Sequence, residues 1–214
     1  MKSWKWALLA VLAAGTAQAQ GMREHSVTVT STVPAIAGQK VQLYLRERAL
    51  PEVLRRGAGD KVVLFIHGAG TPAEVSFDVP YQDYSWMAYL ARAGYDVFSV
   101  DMTGYGRSHR PPQMDDKCNL SPEQQKLFAV NCAQSYPGAL TNMGSDWNDI
   151  SAAVDYIKKL RKVEKINLVG WSQGGPRAGG WAARNPAQLG SIRPLPTCPK
   201  SSPCGRSSSP TCGR

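Results

Sequence analysis

Residues 165–175 read KINLVGWSQGG. The apolar first half predicts a β-strand, and the second half, from Gly170 to Gly174, has the pattern Gly-x-Ser-x-Gly. Glycines two residues before and after Ser172 leave room for a sharp turn from strand to helix, in which the serine adopts a strained backbone conformation. Such a turn exposes the hydroxyl at the start of the next helix, where the helix dipole favours developing negative charge. The pattern predicts a nucleophilic serine; a plain strand-to-helix turn with a capping serine is the alternative.

Two further apolar runs lie upstream. Residues 61–66, KVVLFI, and 96–100, DVFSV, are continuous, which is typical of central strands that are covered on both faces. The first run ends in the glycine-rich loop His67-Gly68-Ala69-Gly70, and the second ends in residues 101–108, DMTGYGRS. Both runs therefore predict strands, each followed by a loop that contains glycines.

Helical patterns separate these runs. Residues 84–93 carry apolar side chains on one side and stop before Gly94. A longer amphipathic pattern begins at Ser145, which we expect to cap the helix, and ends in a basic cluster at 158–162, where the dipole favours cations. Residues 176–184 predict the helix that follows the serine.

The start of the domain has a different pattern. Residues 25–31 and 40–46 alternate between apolar and polar side chains, which predicts two half-buried antiparallel strands, and residues 50–60 predict a polar connection. Strands that alternate with helices then follow. The predicted class is α/β, with a mostly parallel sheet, helices on both faces and a leading antiparallel pair.

The N-terminal 19 residues have the features of a secretory signal peptide. Lys2 and Lys5 precede an apolar run at 6–14, and Ala-Gln-Ala at 17–19 matches a cleavage site. The apolar run is too short for a permanent membrane anchor. We therefore expect an exported protein, periplasmic or secreted; a buried N-terminal helix is the alternative.

The net charge of +9 is unevenly distributed. The signal segment contributes +2 and residues 191–214 contribute +4, which leaves +3 for residues 20–190. That is an ordinary surface without a basic stripe, so we expect no nucleic-acid partner.

Five cysteines in an exported chain suggest disulfides. Cys118 and Cys132 lie in one polar segment and are the candidate pair, whereas the other three, at 198, 204 and 212, leave an odd thiol. The spacing matches no zinc ligand set and no histidine lies nearby, so we predict no metal site and no cofactor.

Three motifs in this order resemble those of the α/β-hydrolase family, over residues 40–189. Each motif follows a predicted strand, and together their order and spacing are specific. They are His67-Gly68-Ala69-Gly70, Asp101-x-x-Gly104-x-Gly106-x-Ser108 and Gly170-Trp171-Ser172-Gln173-Gly174-Gly175.

The resemblance implies roles for these residues. Ser172 would be the nucleophile, on an elbow formed with Gly170, Trp171 and Gly174. The oxyanion hole would consist of the backbone N–H groups of Gln173 and Ala69. The resemblance implies structural roles for His67 and Asp101, which shape their loops. Trp171 would either contact the substrate or belong to the core.

Residues 109–144 fall where many members of the family insert a lid. Phe128, Tyr136 and Leu140 would then line an acyl or aromatic site. A solvent-exposed loop, stapled by Cys118 and Cys132, is an equal alternative.

The remaining triad members have no candidates in the family's order, which is nucleophile, acid, histidine. No Asp, Glu or His follows Ser172, and the histidines are His25, His67 and His109. Residues 191–214 contain six serines, five prolines, three arginines and three cysteines, which predicts a disordered tail in place of a sixth strand. We infer a truncation or a shifted reading frame after about residue 190, or else a genuine disordered tail on a degenerate fold.

The predicted organisation is a signal peptide at 1–19, a partial α/β-hydrolase domain at 20–190 and a tail at 191–214. The predicted function is a serine hydrolase that cleaves an ester, or an amide, of a small molecule through an acyl-enzyme at Ser172, impaired in this chain. A non-catalytic ligand-binding protein is the alternative, and recruitment of His109 as an unorthodox base is a third.

Overall fold

A computed structural model describes residues 21–195, and side-chain burial up to residue 193. The predicted signal peptide and the residues after 195 lie outside the described part. The strands are β1 (Gly21–Thr30), β2 (Lys40–Ala49), β3 (Val62–Ile66), β4 (Asp96–Val100), β5 (Ile166–Trp171) and β6 (Leu189–Leu195). The α-helices are α1 (Pro51–Arg56), α2 (Ala73–Phe77), α3 (Trp86–Arg92), α4 (Pro122–Leu127), α5 (Met143–Arg161) and α6 (Gly174–Arg184).

The six strands form one sheet in the order β1-β2-β4-β3-β5-β6. The β1–β2 and β2–β4 pairs are antiparallel, and the other three pairs are parallel. The predicted fold class, a mostly parallel sheet with a leading antiparallel pair, is therefore confirmed. Because β3, β4 and β5 are parallel, the loops that follow them meet at one edge of the sheet, which is where open α/β sheets form their sites.

Two apolar clusters lie on opposite faces of the sheet. The larger one packs α5 and α6 against it and includes the fully buried Ile150, Val154 and Ile157 of the predicted α5 stripe. The smaller one packs α2 and α3 against the other face, around Phe65 and Phe77. Burial on both faces explains why β3 and β4 have no alternation, since every residue of both is buried.

The helix ends agree with the predicted capping residues except at the start of α5. Ser85 caps α3 by accepting from the Ala88 N–H, and Gly94 ends it with φ +83°. The prediction that Ser145 caps α5 is wrong, because Asn142 is the cap. Ser145 occupies the third helical position, where its hydroxyl accepts from the Asn142 N–H and completes a reciprocal capping box. The polar connection 50–60 contains the short helix α1.

The prediction that nothing from residue 191 onward forms a strand is wrong for residues 191–195. Strand β6 pairs in parallel with β5, and Ile192 lies opposite Leu168 while Pro194 lies opposite Gly170. An edge strand pairs on one side only, so a proline is tolerated in it. Its polar residues Ser191 and Arg193 are exposed. Ile192 and Leu189 still pack, partly buried, against the larger cluster.

Candidate active site

Ser172 lies on the corner between β5 and α6. Its φ is +53°, in the left-handed region that non-glycine residues rarely adopt, and its side chain is exposed. The strand ends at Trp171 and the helix begins at Gly174, so two residues make the whole turn. The strained turn holds the hydroxyl clear of the sheet at the N-terminus of α6.

The flanking glycines are required by close backbone contacts. A Cβ atom on Gly170 would lie 2.4 Å from the Gly174 carbonyl oxygen, and one on Gly174 would lie 2.0 Å from the Ile66 carbonyl oxygen. Atoms do not approach so closely, so no side chain fits at either position. The first turn of α6 is thereby pressed against the end of β3.

The loop after β3 contacts the serine. A Cβ atom on Gly68 would lie 2.8 Å from Ser172 Cβ and 3.3 Å from Ser172 Oγ. Ala69 and Gln173, the two predicted oxyanion-hole residues, are both exposed. Within the described residues, neither backbone N–H is hydrogen-bonded to another protein group. The structure thus brings both predicted donors to the neighbourhood of Ser172 with unused N–H groups.

His67 is fully buried and belongs to the framework of this loop. The Met102 N–H donates to its Nε2 at 3.1 Å, so the proton is on Nδ1, which donates to the Gly68 carbonyl at 2.7 Å. The Tyr105 ring packs against the imidazole, with centroids 4.6 Å apart. Burial lowers the pKa of His67 below its ordinary value. A neutral imidazole with both ring nitrogens hydrogen-bonded agrees with the structural role that the resemblance implied.

Asp101 shapes the loop after β4 in a similar way. Its two carboxylate oxygens accept from the Ala73 N–H at 2.7 Å and from the Arg107 N–H at 2.9 Å. A Cβ atom on Gly106 would lie 2.0 Å from the Asp101 carboxylate, so the glycine is needed for this turn. Asp101 also has a structural role.

Arg177, on α6, was not singled out by the sequence. It is 3 % exposed, and its Nε donates to Asp146 Oδ2 of α5 at 2.7 Å. Its Nη1 donates to the carbonyl oxygens of His67 at 3.0 Å and Gly68 at 3.2 Å. The only local signal is an arginine one residue before the buried Ala178, on the side of α6 that faces the core.

Asp149, on α5, is a second buried acid near the loops. Its Oδ2 accepts from the Thr103 N–H at 2.8 Å, and it is 2 % exposed. Burial raises the pKa of Asp149 to about 6, and the negative charge of Asp146 acts in the same direction.

No acid or histidine is hydrogen-bonded to Ser172 Oγ within the described residues. His25 bonds instead to Glu47 and Tyr156. The backbone of His109 is held by Gln42 and Gly104, so its recruitment as a base stays a prediction.

Trp171, the neighbour of the serine, is 37 % exposed. Its side chain therefore does not belong to the core, which was one of the two predicted alternatives. An exposed aromatic ring next to the hydroxyl remains available to a substrate.

The segment 109–144 packs on the loop after β4. Met114 lies so close to Gly104 that a Cβ atom there would be 2.7 Å from its thioether. Cys118 and Cys132, the predicted pair, are joined by a disulfide, and Gln125 bonds to the backbone of both cysteines. Phe128, a predicted pocket residue, is 54 % exposed and lies next to Lys117. The lid therefore stays a prediction.

A cavity of about 430 Å³ lies on the face of the sheet that carries the smaller apolar cluster, between α3 and strands β3 and β5. Neither Ser172 nor either oxyanion-hole residue lines it. Its lining includes Phe65, Trp86, Tyr89, Leu90, Val169 and Arg193.

Within residues 21–195 no helix is both long and apolar enough to cross a bilayer.

Solved structures of several hydrolases resemble this one. They include a haloalkane dehalogenase from Agrobacterium tumefaciens (16 % identity, TM-score 0.47), an epoxide hydrolase from Vigna radiata (19 %, 0.47) and epoxide hydrolase I from potato, Solanum tuberosum (20 %, 0.48). The matches cover 81 %, 82 % and 81 % of this chain but only 40 %, 38 % and 39 % of those chains. This chain thus spans about two fifths of their length.

The family comparison is decisive. The model of the alpha/beta hydrolase fold matches residues 61–192, more than half of the chain, and this range includes β3 to β5 with all three motifs. The chain therefore belongs to the α/β-hydrolase family.

Proposed function

We propose that this chain carries the nucleophile and the oxyanion hole of a serine hydrolase that cleaves carboxylic esters. The observation that supports it is the exposed Ser172 at φ +53° on the strand–helix corner, in contact with the loop after β3. Strained backbone at an exposed polar residue is typical of functional sites. The helix dipole of α6 and two unbonded amides favour negative charge at the same place.

The proposed reaction has two steps. The Ser172 Oγ attacks the ester carbonyl carbon while its proton passes to a base, and the carbonyl oxygen becomes an oxyanion that accepts from the Ala69 and Gln173 N–H groups. The C–O bond to the alcohol then breaks, and the departing alkoxide takes up a proton. Water hydrolyses the resulting acyl-enzyme and releases the acid.

The base is not assigned to a residue of this chain, since no Asp, Glu or His follows Ser172. With the nucleophile's partners missing, hydrolases keep only a residual acceleration of about 10³–10⁴ over water, from the oxyanion hole and binding. We therefore propose slow acylation by this chain as it stands, with amides less reactive than esters.

The proposed compartment is outside the cytoplasm. It rests on the signal-like pattern of residues 1–19, and the Cys118–Cys132 disulfide supports it, because disulfides persist mainly in oxidising compartments. The proposed substrate is a small molecule, and the segment 109–144 is proposed as its lid, because it packs on the loop after β4 at the same edge of the sheet.

Labelling with a fluorophosphonate tests the proposal. We expect slow phosphonylation of a single site, mapped to Ser172 by mass spectrometry, which is abolished in Ser172→Ala and retained in Ser26→Ala, a variant of an exposed serine on β1. Imidazole added as an external base should accelerate both labelling and the release of p-nitrophenol from p-nitrophenyl acetate, after subtraction of the Ser172→Ala rate.

A folded chain that is not labelled at Ser172, with or without imidazole, contradicts the proposal. That outcome favours the non-catalytic ligand-binding protein.

A further inference from the structure

We propose that Arg177 is a positioning residue that sets the direction of the Ala69 N–H in the oxyanion hole. This inference rests on the proposed function, since it assigns a purpose to a buried ion pair beside the same site. The guanidinium connects three segments that are distant in sequence: α6, which carries it; α5, through Asp146; and the loop after β3, through two carbonyl oxygens.

The peptide unit between Gly68 and Ala69 connects Arg177 to the oxyanion hole. The Gly68 carbonyl oxygen accepts from Arg177 Nη1 at 3.2 Å and from His67 Nδ1 at 2.7 Å, so it points into the buried side of the loop. The peptide bond between Gly68 and Ala69 is trans and planar, which makes its C=O and N–H point in opposite directions. The Ala69 N–H must therefore point to the exposed side, where Ser172 lies.

The buried ion pair between Arg177 and Asp146 can hold the loop in one position. Arg177 and Asp146 are 3 % and 5 % exposed, so a guanidinium without this carboxylate would be costly, and the pair stays together in one geometry. The planar guanidinium offers several donors in a rigid fork, so one side chain bonds the carboxylate and two carbonyls at once. A lysine has a single nitrogen and does not span the same three acceptors.

The framework around the pair keeps the arginine itself in place. The Trp147 Nε1 donates to the Arg177 carbonyl at 3.1 Å, and the Tyr105 ring, which packs on His67, lies 5.7 Å from the guanidinium carbon. Every partner of the Gly68 carbonyl is thus held by a second contact. The oxyanion donor is oriented before a substrate arrives, which is the arrangement that lowers an electrostatic barrier.

The test removes both charges together. In Arg177→Met/Asp146→Leu neither member of the ion pair is left behind as an unpaired buried charge, so the fold is expected to survive. Arg177→Lys is the second variant, which keeps the cation beside Asp146 and loses the fork. Arg55→Met is the control, because it changes an exposed arginine on another helix, α1.

Two readouts are needed. The first is the backbone ¹⁵N order parameter and chemical shift of Ala69 in the folded chain, measured by NMR. We expect the order parameter to fall from about 0.85 to below about 0.6 in the double variant, less in Arg177→Lys, and not at all in Arg55→Met. The second is the rate of fluorophosphonate labelling at Ser172, which we expect to fall by about 10- to 100-fold in the double variant.

The outcomes separate the two proposals. An unchanged Ala69 signal in a folded variant overturns the positioning role, whatever the labelling rate, and so does a mobile Ala69 with an unchanged labelling rate. A third outcome separates the proposals: the wild-type chain is not labelled at Ser172, while Ala69 loses order in the variants. This outcome overturns the proposed function but supports the role of Arg177 in positioning the loop after β3.

Discussion

The backbone of Gly68 lies against the side chain of Ser172, so closely that a Cβ atom on the glycine would be 2.8 Å from Ser172 Cβ. The two residues belong to loops that follow different strands, β3 and β5, which are neighbours in the sheet. Their contact places the predicted nucleophile beside the loop that carries Ala69.

Gly68→Ala should therefore disturb the site more than the fold. The new methyl group must displace Ser172 or the loop, and a displacement of about 1 Å near a reacting group can lower a rate by about 100-fold. We expect fluorophosphonate labelling at Ser172 to slow by about 10- to 100-fold, with a loss of stability of about 1–3 kcal/mol from overpacking.

Gly179→Ala is the control for this substitution, because a Cβ atom on Gly179 of α6 would meet no heavy atom within 4 Å. It should leave labelling unchanged and stabilise the helix by up to about 1 kcal/mol. Equal labelling rates for Gly68→Ala and the wild-type chain would contradict the contact.

The backbone strain at Ser172 predicts an unusual ranking of substitutions. A residue with a Cβ atom is disfavoured at φ +53°, whereas glycine is not. We expect Ser172→Gly to be more stable than Ser172→Ala by about 1 kcal/mol in urea unfolding, even though glycine increases the entropy of the unfolded chain.

Lys159, on the exposed side of α5, provides the opposite comparison. There, in the last turn of the helix, Lys159→Gly should be less stable than Lys159→Ala by about 0.5–1 kcal/mol. If glycine is also the less stable choice at position 172, the corner is not strained.

Asp149 should make stability depend on pH. Burial raises its pKa to about 6 in the folded chain, above the ordinary value of 3.8. A raised carboxyl pKa means that the folded state binds the proton more tightly, so this stabilisation is complete below about pH 4 and is lost as the pH rises towards 6 and above.

Asp149→Asn removes this dependence and can keep an oxygen to accept from Thr103. Relative to the wild-type chain, the variant should gain on the order of 2–3 kcal/mol in free energy of unfolding between pH 4 and pH 8. Urea titrations of both chains at the two pH values measure the difference, and a constant difference contradicts the raised pKa.

Arg161 holds two buried carboxylates together at the other end of the sheet. Its guanidinium bonds both Glu47 and Asp96, each about 1 % exposed at the side chain, and His25 bonds Glu47 as well. Burial and the neighbouring Glu47 raise the pKa of Asp96 to about 7.

Arg161→Met should therefore cost about 3–5 kcal/mol of stability at pH 8, because it leaves buried acids without their cation. The loss should be smaller at pH 5, where Asp96 is protonated. Lys159→Met, an exposed change in the last turn of the same helix, should cost no more than about 1 kcal/mol, and equally at both pH values. An equal loss for Arg161→Met at pH 5 and pH 8 contradicts this account.

Some elements were missed because their signals are not local. Strand β6, LGSIRPL, has three aliphatic residues without a regular alternation, and its pairing with β5 depends on backbone hydrogen bonds that carry no sequence pattern. Arg177 looks like any helix arginine, because its acceptors on His67 and Gly68 lie 110 and 109 residues away. The N-cap of α5 was placed three residues late, since either member of a capping box can resemble the cap.

The corner at Ser172 was predicted from the sequence itself, because the glycines at 170 and 174 form a local pattern. The clash that Gly170 avoids lies within the turn, whereas the one that Gly174 avoids is with Ile66 of β3. The apolar runs of β3, β4 and β5 were likewise evident, since burial on both faces demands continuous hydrophobicity. Only the tertiary structure decided what surrounds the serine. Ser172 contacts Gly68, and His67 and Arg177 form hydrogen bonds within and to the same loop. These interactions form where the ends of parallel strands meet, so their partners depend on how the sheet packs.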